Sequence, residues 1–186
     1  MPSRRDFLTH WIRALREPEP KPVRPSPARY LLPEFIRPPG ALPEPEFLKA
    51  CEPCGKCAEA CPYDVILPLG AAYGEMEGTP AILPRGGACH MCEDMPCAAA
   101  CPTDALTVIP WNEVKMGMAR FHQSRCWAAM GKPCDLCIQE CPVGEKALRW
   151  NGVHPEVVEA GCTGCGMCTW ICPTTPKAIT IESIAD

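Results

Sequence analysis

The chain carries sixteen cysteines, and their spacing is the strongest chemical signal in the sequence. They fall into four groups of four that repeat at about 37 residues, and every group ends in Cys-Pro. Because no cysteine is left over, we expect one kind of chemistry to use them all. The groups are Cys51, Cys54, Cys57 and Cys61; Cys89, Cys92, Cys97 and Cys101; Cys126, Cys134, Cys137 and Cys141; and Cys162, Cys165, Cys168 and Cys172.

The spacing within a group is that of an iron–sulfur ligand set. The first and fourth groups read C-x2-C-x2-C-x3-C-P, while the second has four residues after Cys92 and the third has seven after Cys126. Three closely spaced thiolates can bind three corners of one cubane, and in two-cluster ferredoxins the fourth cysteine ligates the other cluster. We therefore predict that all sixteen cysteines ligate four [4Fe-4S] clusters.

Two other uses of these cysteines fit the spacing less well. All-cysteine zinc sites also use C-x2-C, but in two separated pairs and not in runs of four that end in proline. The even number of cysteines permits disulfides, yet thiols separated by only two or three residues are sterically awkward to pair. The pattern favours iron–sulfur clusters over both.

Each group needs a local scaffold, and the sequence predicts the same one four times. The C-x3-C step predicts a short helix, and an apolar segment that suits a strand follows each Cys-Pro. We expect an α+β fold of tandem ferredoxin-like bicluster units, built from loop–short helix–strand repeats with little regular secondary structure. The repeats lie near residues 48–70, 84–110, 120–150 and 156–182, within a polyferredoxin body of residues 48–182.

Residues 18–47 differ from this body in composition. They hold ten of the 24 prolines, and proline removes a backbone donor and restricts the residue before it. We predict an extended, non-helical strap. The apolar pairs in it, such as Phe35 and Ile36, indicate that parts of the strap dock on the body.

Residues 1–17 carry the pair Arg4-Arg5, which resembles the core of a twin-arginine export signal. The apolar region that such a signal needs is replaced by a segment with Arg13 and Arg16. Its apolar residues recur at helical spacing, which predicts a short amphipathic helix. We expect a location in the cytoplasm or on the cytoplasmic side of a membrane, with export to the periplasm as the alternative.

Composition and charge exclude several function classes. Without cysteine the apolar share falls from 47% to about 38%, which is low for a chain that must bury a core. The formal net charge is −4, so a basic nucleic-acid surface is not expected, and no apolar run is long enough for a membrane span. There is no nucleotide-binding motif and no catalytic grouping. We expect an electron carrier and not an enzyme.

The residues resemble the NapG/MauM-type polyferredoxins of periplasmic nitrate reductase and methylamine utilisation systems. The similarity covers roughly residues 48–182 and includes CEPCGKCAEACPYDV and VVEAGCTGCGMCTWICP, together with the unusual spacings of the second and third groups in the same order. The resemblance implies four [4Fe-4S] clusters that pass electrons from a quinol-oxidising membrane partner to a terminal reductase.

The sequence leaves two questions open. By analogy with four-cluster subunits of molybdenum oxidoreductases, the first group would pair with the fourth and the second with the third, but pairing of adjacent groups is also possible. The main functional alternative is a maturation or assembly partner that loads or reduces an oxidoreductase. A redox sensor with a labile cluster and a zinc structural module are further alternatives.

Overall fold

The computed structural model describes residues 32–184. The predicted amphipathic helix of residues 1–17 and the strap up to residue 31 lie outside the described residues, as do the last two residues of the chain.

Regular secondary structure is sparse, as the sequence predicted. Within residues 32–184 the helices are α1 (Glu44–Ala50), α2 (Lys56–Glu59), α3 (Pro96–Ala99), α4 (Leu136–Gln139) and α5 (Met167–Trp170). The strands are β1 (Leu67–Pro68), β2 (Pro80–Ala81), β3 (Gly117–Phe121), β4 (Leu148–Trp150), β5 (Pro155–Val157) and β6 (Ile179–Ser183). No helix in this part of the chain is long and apolar enough to cross a membrane.

The strap is not extended throughout, and its prediction as non-helical is wrong at the C-terminal end. Helix α1 begins at Glu44, with Pro45 in its first turn. Proline is tolerated there because the first turn has no intrahelical acceptor for its missing N–H. Glu44 and Glu46 in the first turn, with Lys49 in the last, also suit the helix dipole.

The expected docking of the strap is confirmed where the structure describes it. Ile36 is fully buried and forms an antiparallel bridge with Ile82. A second bridge joins Ala41 to Leu106, just after the second cysteine group. The strap thus contacts the chain on both sides of that group.

The cysteine-bearing region consists of two halves. The first half, residues 32–109, holds the first two cysteine groups, the β1–β2 pair and the two bridges. The second half, residues 116–184, is closed by the antiparallel pairing of β3 with β6, from Gly117 opposite Ser183 to Phe121 opposite Ile179. Strands β4 and β5 form a further antiparallel pair inside it. Each half therefore carries its own pairing.

The hydrophobic core is continuous across both halves, with one separate cluster. Phe47, Ile36, Ile82 and many of the cysteines belong to the main core. A small satellite cluster contains Cys126, Ala128, Cys172 and Ala178. Since cysteines fill much of this interior, the ligands themselves form a large part of the packing.

A buried arginine anchors the first half. Arg37 is only 5% exposed and donates from Nε to Glu44 Oε2 at 2.9 Å and from Nη1 to Thr79 Oγ1 and Pro80 O, both at 2.8 Å. Its Nη2 also donates to Glu44 Oε1, so the ion pair is bidentate. The guanidinium stacks 4.5 Å from the centre of the Phe47 ring. These contacts join Arg37 to the start of α1 and to the chain at Thr79 and Pro80.

Candidate iron–sulfur centres

Four of the cavities in the described region are each lined by four cysteines. Every cysteine of the chain lines one of them. Cavity A is lined by Cys51, Cys54, Cys57 and Cys101; cavity B by Cys61, Cys89, Cys92 and Cys97; cavity C by Cys126, Cys134, Cys137 and Cys172; and cavity D by Cys141, Cys162, Cys165 and Cys168.

Each cavity takes three cysteines from one group and the fourth from another. Cys101 of the second group completes cavity A, and Cys61 of the first completes cavity B. The third and fourth groups exchange Cys141 and Cys172 in the same way. Of the two pairings that the sequence left open, the cavity linings favour the pairing of adjacent groups over that of the first group with the fourth and the second with the third. The β3–β6 pairing explains this, because it closes the third and fourth groups into one half.

Four short helices produce the exchange of the fourth cysteines. The third cysteine of each group lies inside a helix of four residues, and the fourth follows just after the helix ends. The third and fourth cysteines are four residues apart, which separates them by about 6 Å along the helix direction and lets the two thiols reach different cavities. The prediction of a short helix at C-x3-C is confirmed in all four groups.

Glycine permits the turn into two of these helices. Gly55 and Gly166 are the N-cap residues of α2 and α5, with φ of 77° and 88°. This left-handed conformation is strained for other residues because of their Cβ atoms. The two glycines are equivalent, since each directly follows the second cysteine of its group.

The thiols of a cavity raise one another's pKa. Burial, followed by smaller effects from Cys165, Cys97 and Cys92, raises the pKa of Cys89 to about 12. Burial and the thiols of Cys126, Cys134 and Cys172 likewise raise the pKa of Cys137 to about 12. Four thiolates in one cavity are therefore unfavourable without a cation among them, and an iron–sulfur core supplies one.

In two of the cysteines that come fourth in their groups, the pKa is lowered and not raised. Burial alone would raise the pKa of Cys101, but hydrogen bonds from the Leu106 and Thr103 N–H groups and from the Thr103 hydroxyl lower it overall. Cys172 behaves in the same way, with Thr174 as its main hydrogen-bond partner. The hydroxyl oxygens lie 3.7 Å from Cys101 Sγ and 3.2 Å from Cys172 Sγ. These cysteines complete cavities A and C.

The donor sets fit iron–sulfur clusters better than single ions. Among residues 32–184, no group of three or more His, Cys, Asp or Glu side chains is placed to hold a metal ion. The thiols of each cavity instead surround a space. A cubane offers a separate iron atom to each thiolate, so its four ligands need not meet at one point.

Sequence reasoning did not identify several residues around the cavities. The Arg37 network has no sequence signature, because its partners lie 7 and 42 residues away. Thr103 and Thr174 do have one, since the second and fourth groups share Cys-Pro-Thr. His90, next to Cys89, stacks on Tyr63 with ring centres 3.6 Å apart.

Comparison with known proteins agrees with this picture. The chain is 38% identical to the ferredoxin-type protein NapG of Escherichia coli (strain K12) over 160 aligned positions, which cover 78% of this chain and 69% of that protein. It is 41% identical to the methylamine utilization ferredoxin-type protein MauM of Paracoccus denitrificans (strain Pd 1222), over 78% of this chain and 70% of the relative. The chain belongs to the NapG/MauM family of ferredoxin-type proteins.

One more ferredoxin-type protein is similar to the chain. The ferredoxin-type protein NapF of Escherichia coli (strain K12) is 30% identical over 79% of this chain and 84% of its own length. No protein-family model matches the chain. Membership makes this chain an electron-transferring iron–sulfur protein of the ferredoxin type.

Proposed function

We propose that this protein carries four [4Fe-4S] clusters, one in each of cavities A to D, and passes single electrons between partner proteins. The sixteen cysteines are the ligands, four to a cluster. The observation that carries the proposal is that each cavity is lined by four thiols and that every cysteine is used once. The clusters supply the one-electron chemistry, while the chain binds them and sets their surroundings.

The donor we propose is a quinol-oxidising membrane partner and the acceptor a terminal oxidoreductase, which makes the chain a subunit or accessory of a larger redox system. Resemblance to the NapG/MauM family supports this assignment. The MauM relatives are named for methylamine utilization. Electron carriage requires only that the partners dock close to a cluster.

The test is a metal and spin count on protein purified without oxygen. We expect about sixteen iron and sixteen acid-labile sulfide per chain, four of each per cluster. Reduction with dithionite should give EPR signals of interacting S = 1/2 clusters, and one-electron oxidants should reverse the reduction. Zinc in place of iron, or an iron content of eight or fewer, would overturn the assignment.

The alternative proposal, a maturation or assembly role, is separated by the state of the captured partner. A maturation factor should co-purify with an oxidoreductase that lacks its cofactors. An electron carrier should instead reduce the mature enzyme in stoichiometric steps. Mixing the reduced protein with both forms of the partner distinguishes the two roles.

Location stays a prediction from the sequence, since residues 1–31 lie outside the described residues. We propose the cytoplasmic side of a membrane, with periplasmic export as the alternative. Cell fractionation of the native chain and of a variant with Arg4→Lys and Arg5→Lys tests this. Periplasmic protein that is retained inside in the variant would establish export.

A further inference from the structure

Cavities B and D meet where the two halves pack together. The N–H of Cys89, a ligand of cavity B, donates to the carbonyl oxygen of Cys165, a ligand of cavity D, at 2.9 Å. A ligand residue of one half is therefore hydrogen-bonded directly to a ligand residue of the other.

Side chains pack tightly around this contact. The ring of His90 lies 6.1 Å from that of Trp170, in an edge-on arrangement across the two halves. Trp170 ends α5, the helix that carries Cys168 of cavity D. A Cβ atom added to Gly166 would lie 3.1 Å from the Cβ of Pro84 in the first half. A Cβ atom at position 166 would therefore crowd Pro84 and push against the packing between the halves.

Within each half, the short helices connect the two cavities. Helix α2 leads from Cys57 of cavity A to Cys61 of cavity B, and α3 leads from Cys97 of cavity B to Cys101 of cavity A. Helices α4 and α5 connect cavities C and D in the same way. Cavities B and D therefore each have a neighbour in their own half and one across the B–D contact.

We propose that the four clusters form one series in the order A, B, D, C, and that electrons cross between the halves through the hydrogen-bonded Cys89–Cys165 contact. This rests on the proposed function. With clusters held by the cysteines of cavities B and D, one electron would pass from the reduced cluster at B, which would be oxidised, to the oxidised cluster at D, which would be reduced. No bond forms or breaks, and no proton moves. The ends of the series are cavities A and C, where external donor and acceptor exchange electrons.

The series does not follow the order of the groups along the chain. The third group supplies three ligands to the terminal cavity C, while the fourth supplies three to the inner cavity D. If the first group had paired with the fourth and the second with the third, different clusters would lie side by side. The order is therefore testable through which clusters interact magnetically.

The first experiment isolates the inner pair. The double variant Cys54→Ala/Cys134→Ala removes one ligand from each terminal cavity, and iron analysis and EPR verify that two [4Fe-4S] clusters remain. We expect the reduced variant to show the split or broadened EPR spectrum of two coupled clusters, because B and D are neighbours. Two independent, unsplit signals would overturn the series.

A second experiment keeps all four clusters and changes only the packing between the halves. Gly166→Ala places a Cβ against Pro84, whereas a Cβ at the equivalent Gly55 meets nothing within 4 Å. Both substitutions impose the same left-handed strain, so Gly55→Ala is the matched control. We expect weaker B–D coupling in Gly166→Ala and unchanged coupling in Gly55→Ala. Equal coupling in the two variants would contradict the proposed contact.

These outcomes separate the two proposals. A parent protein without iron–sulfur clusters would overturn the proposed function. A parent protein with about sixteen iron per chain, but with B and D uncoupled in the double variant, would overturn only the series. The electron-carrying role would then stand with a different path between the halves.

Discussion

Cavities A and C are each lined by four thiols, but the residues that surround the two cavities differ. Cavity A lies beside Phe47, which belongs to the main core and stacks on the buried Arg37. Cavity C packs on the satellite cluster of Cys126, Ala128, Cys172 and Ala178, in which two of the four residues are themselves ligands. Cavity C also contacts the main core through Ile179. Because two of the four satellite residues are cysteines that line the cavity, we expect the packing at this end to depend more on a bound cluster than the packing at cavity A.

Large apolar side chains are exposed at cavity C. Trp127 and Leu136 line cavity C and are each 38% exposed. Trp150 and Val153, also exposed, line a groove next to it that includes Cys134. Apolar side chains that stay in contact with water contribute no hydrophobic stabilisation to the fold. Two cavities with the same four-thiol lining can therefore differ in how well the surrounding residues stabilise them, and variants at the two ends should show this difference.

The largest effect is expected at Arg37. In Arg37→Met the partly buried carboxylate of Glu44 loses its partner, and Thr79 and Pro80 lose a donor. Breaking a fully buried pair costs about 3–5 kcal/mol, and because the Glu44 side chain is 15% exposed we expect the lower end of that range. We expect the free energy of unfolding, measured by anaerobic denaturant titration, to fall by that amount.

Arg149→Met is the matched control for this substitution. Arg149 pairs with Glu156 at 2.9 Å, but both side chains are exposed. Exposed pairs contribute less than about 1 kcal/mol, so the control should unfold close to the parent. Equal losses in the two variants would show that the Arg37 network does not support the first end.

An intermediate effect is expected on local opening when one terminal cluster is lost. In Cys134→Ala, cavity C loses a ligand, and two of the four residues of the satellite cluster line that cavity. Amide exchange in residues 122–137 should therefore accelerate by roughly tenfold or more, equivalent to ~1.4 kcal/mol. In Cys54→Ala, helix α1 should stay protected because Arg37 and Phe47 hold it. Hydrogen exchange with mass-spectrometric detection measures both.

The reverse pattern would contradict the comparison of the two ends. Iron analysis serves as the control, since each variant should lose one cluster and keep three. Fast exchange at residues 44–50 in Cys54→Ala, with residues 122–137 unaffected in Cys134→Ala, would mean that the first end depends more on its cluster.

The cysteine pattern was sufficient to predict the local structure, because ligand spacing and helix geometry act over a few residues. The short helices and the use of three cysteines plus one from another group followed from C-x2-C and C-x3-C. The choice of partner group did not, because it depends on β3 pairing with β6, more than 50 residues away. Spacing alone gives no information about that long-range contact.

The strap shows a second limit of sequence reasoning. Proline density led to the prediction of a non-helical strap through residue 47, although helix α1 begins at Glu44. The prolines fall at positions where a first helical turn accepts them. The burial of Arg37 was not predicted, because an arginine in a proline-rich segment is usually exposed. Only the tertiary structure buries it.

The smallest and most specific effect is expected at the two threonines that face the ligands of the terminal cavities. A thiolate bound to iron can only accept, so the Thr103 and Thr174 hydroxyls must donate to Cys101 Sγ and Cys172 Sγ. Such hydrogen bonds stabilise the more negative, reduced cluster and raise its potential. Thr174→Val and Thr103→Val should therefore each lower the potential of one terminal cluster.

The geometry ranks the two substitutions. The contact of Thr174 is 3.2 Å and that of Thr103 is 3.7 Å, so Thr174→Val should have the larger effect, on the order of tens of mV, where about 59 mV is a tenfold change for one electron. EPR-monitored redox titration of each variant measures the shift. Thr180→Val is a control, because its hydroxyl contacts His122 and not a ligand. A larger shift in Thr103→Val than in Thr174→Val would show that factors other than the hydroxyl contact set the difference between the two ends.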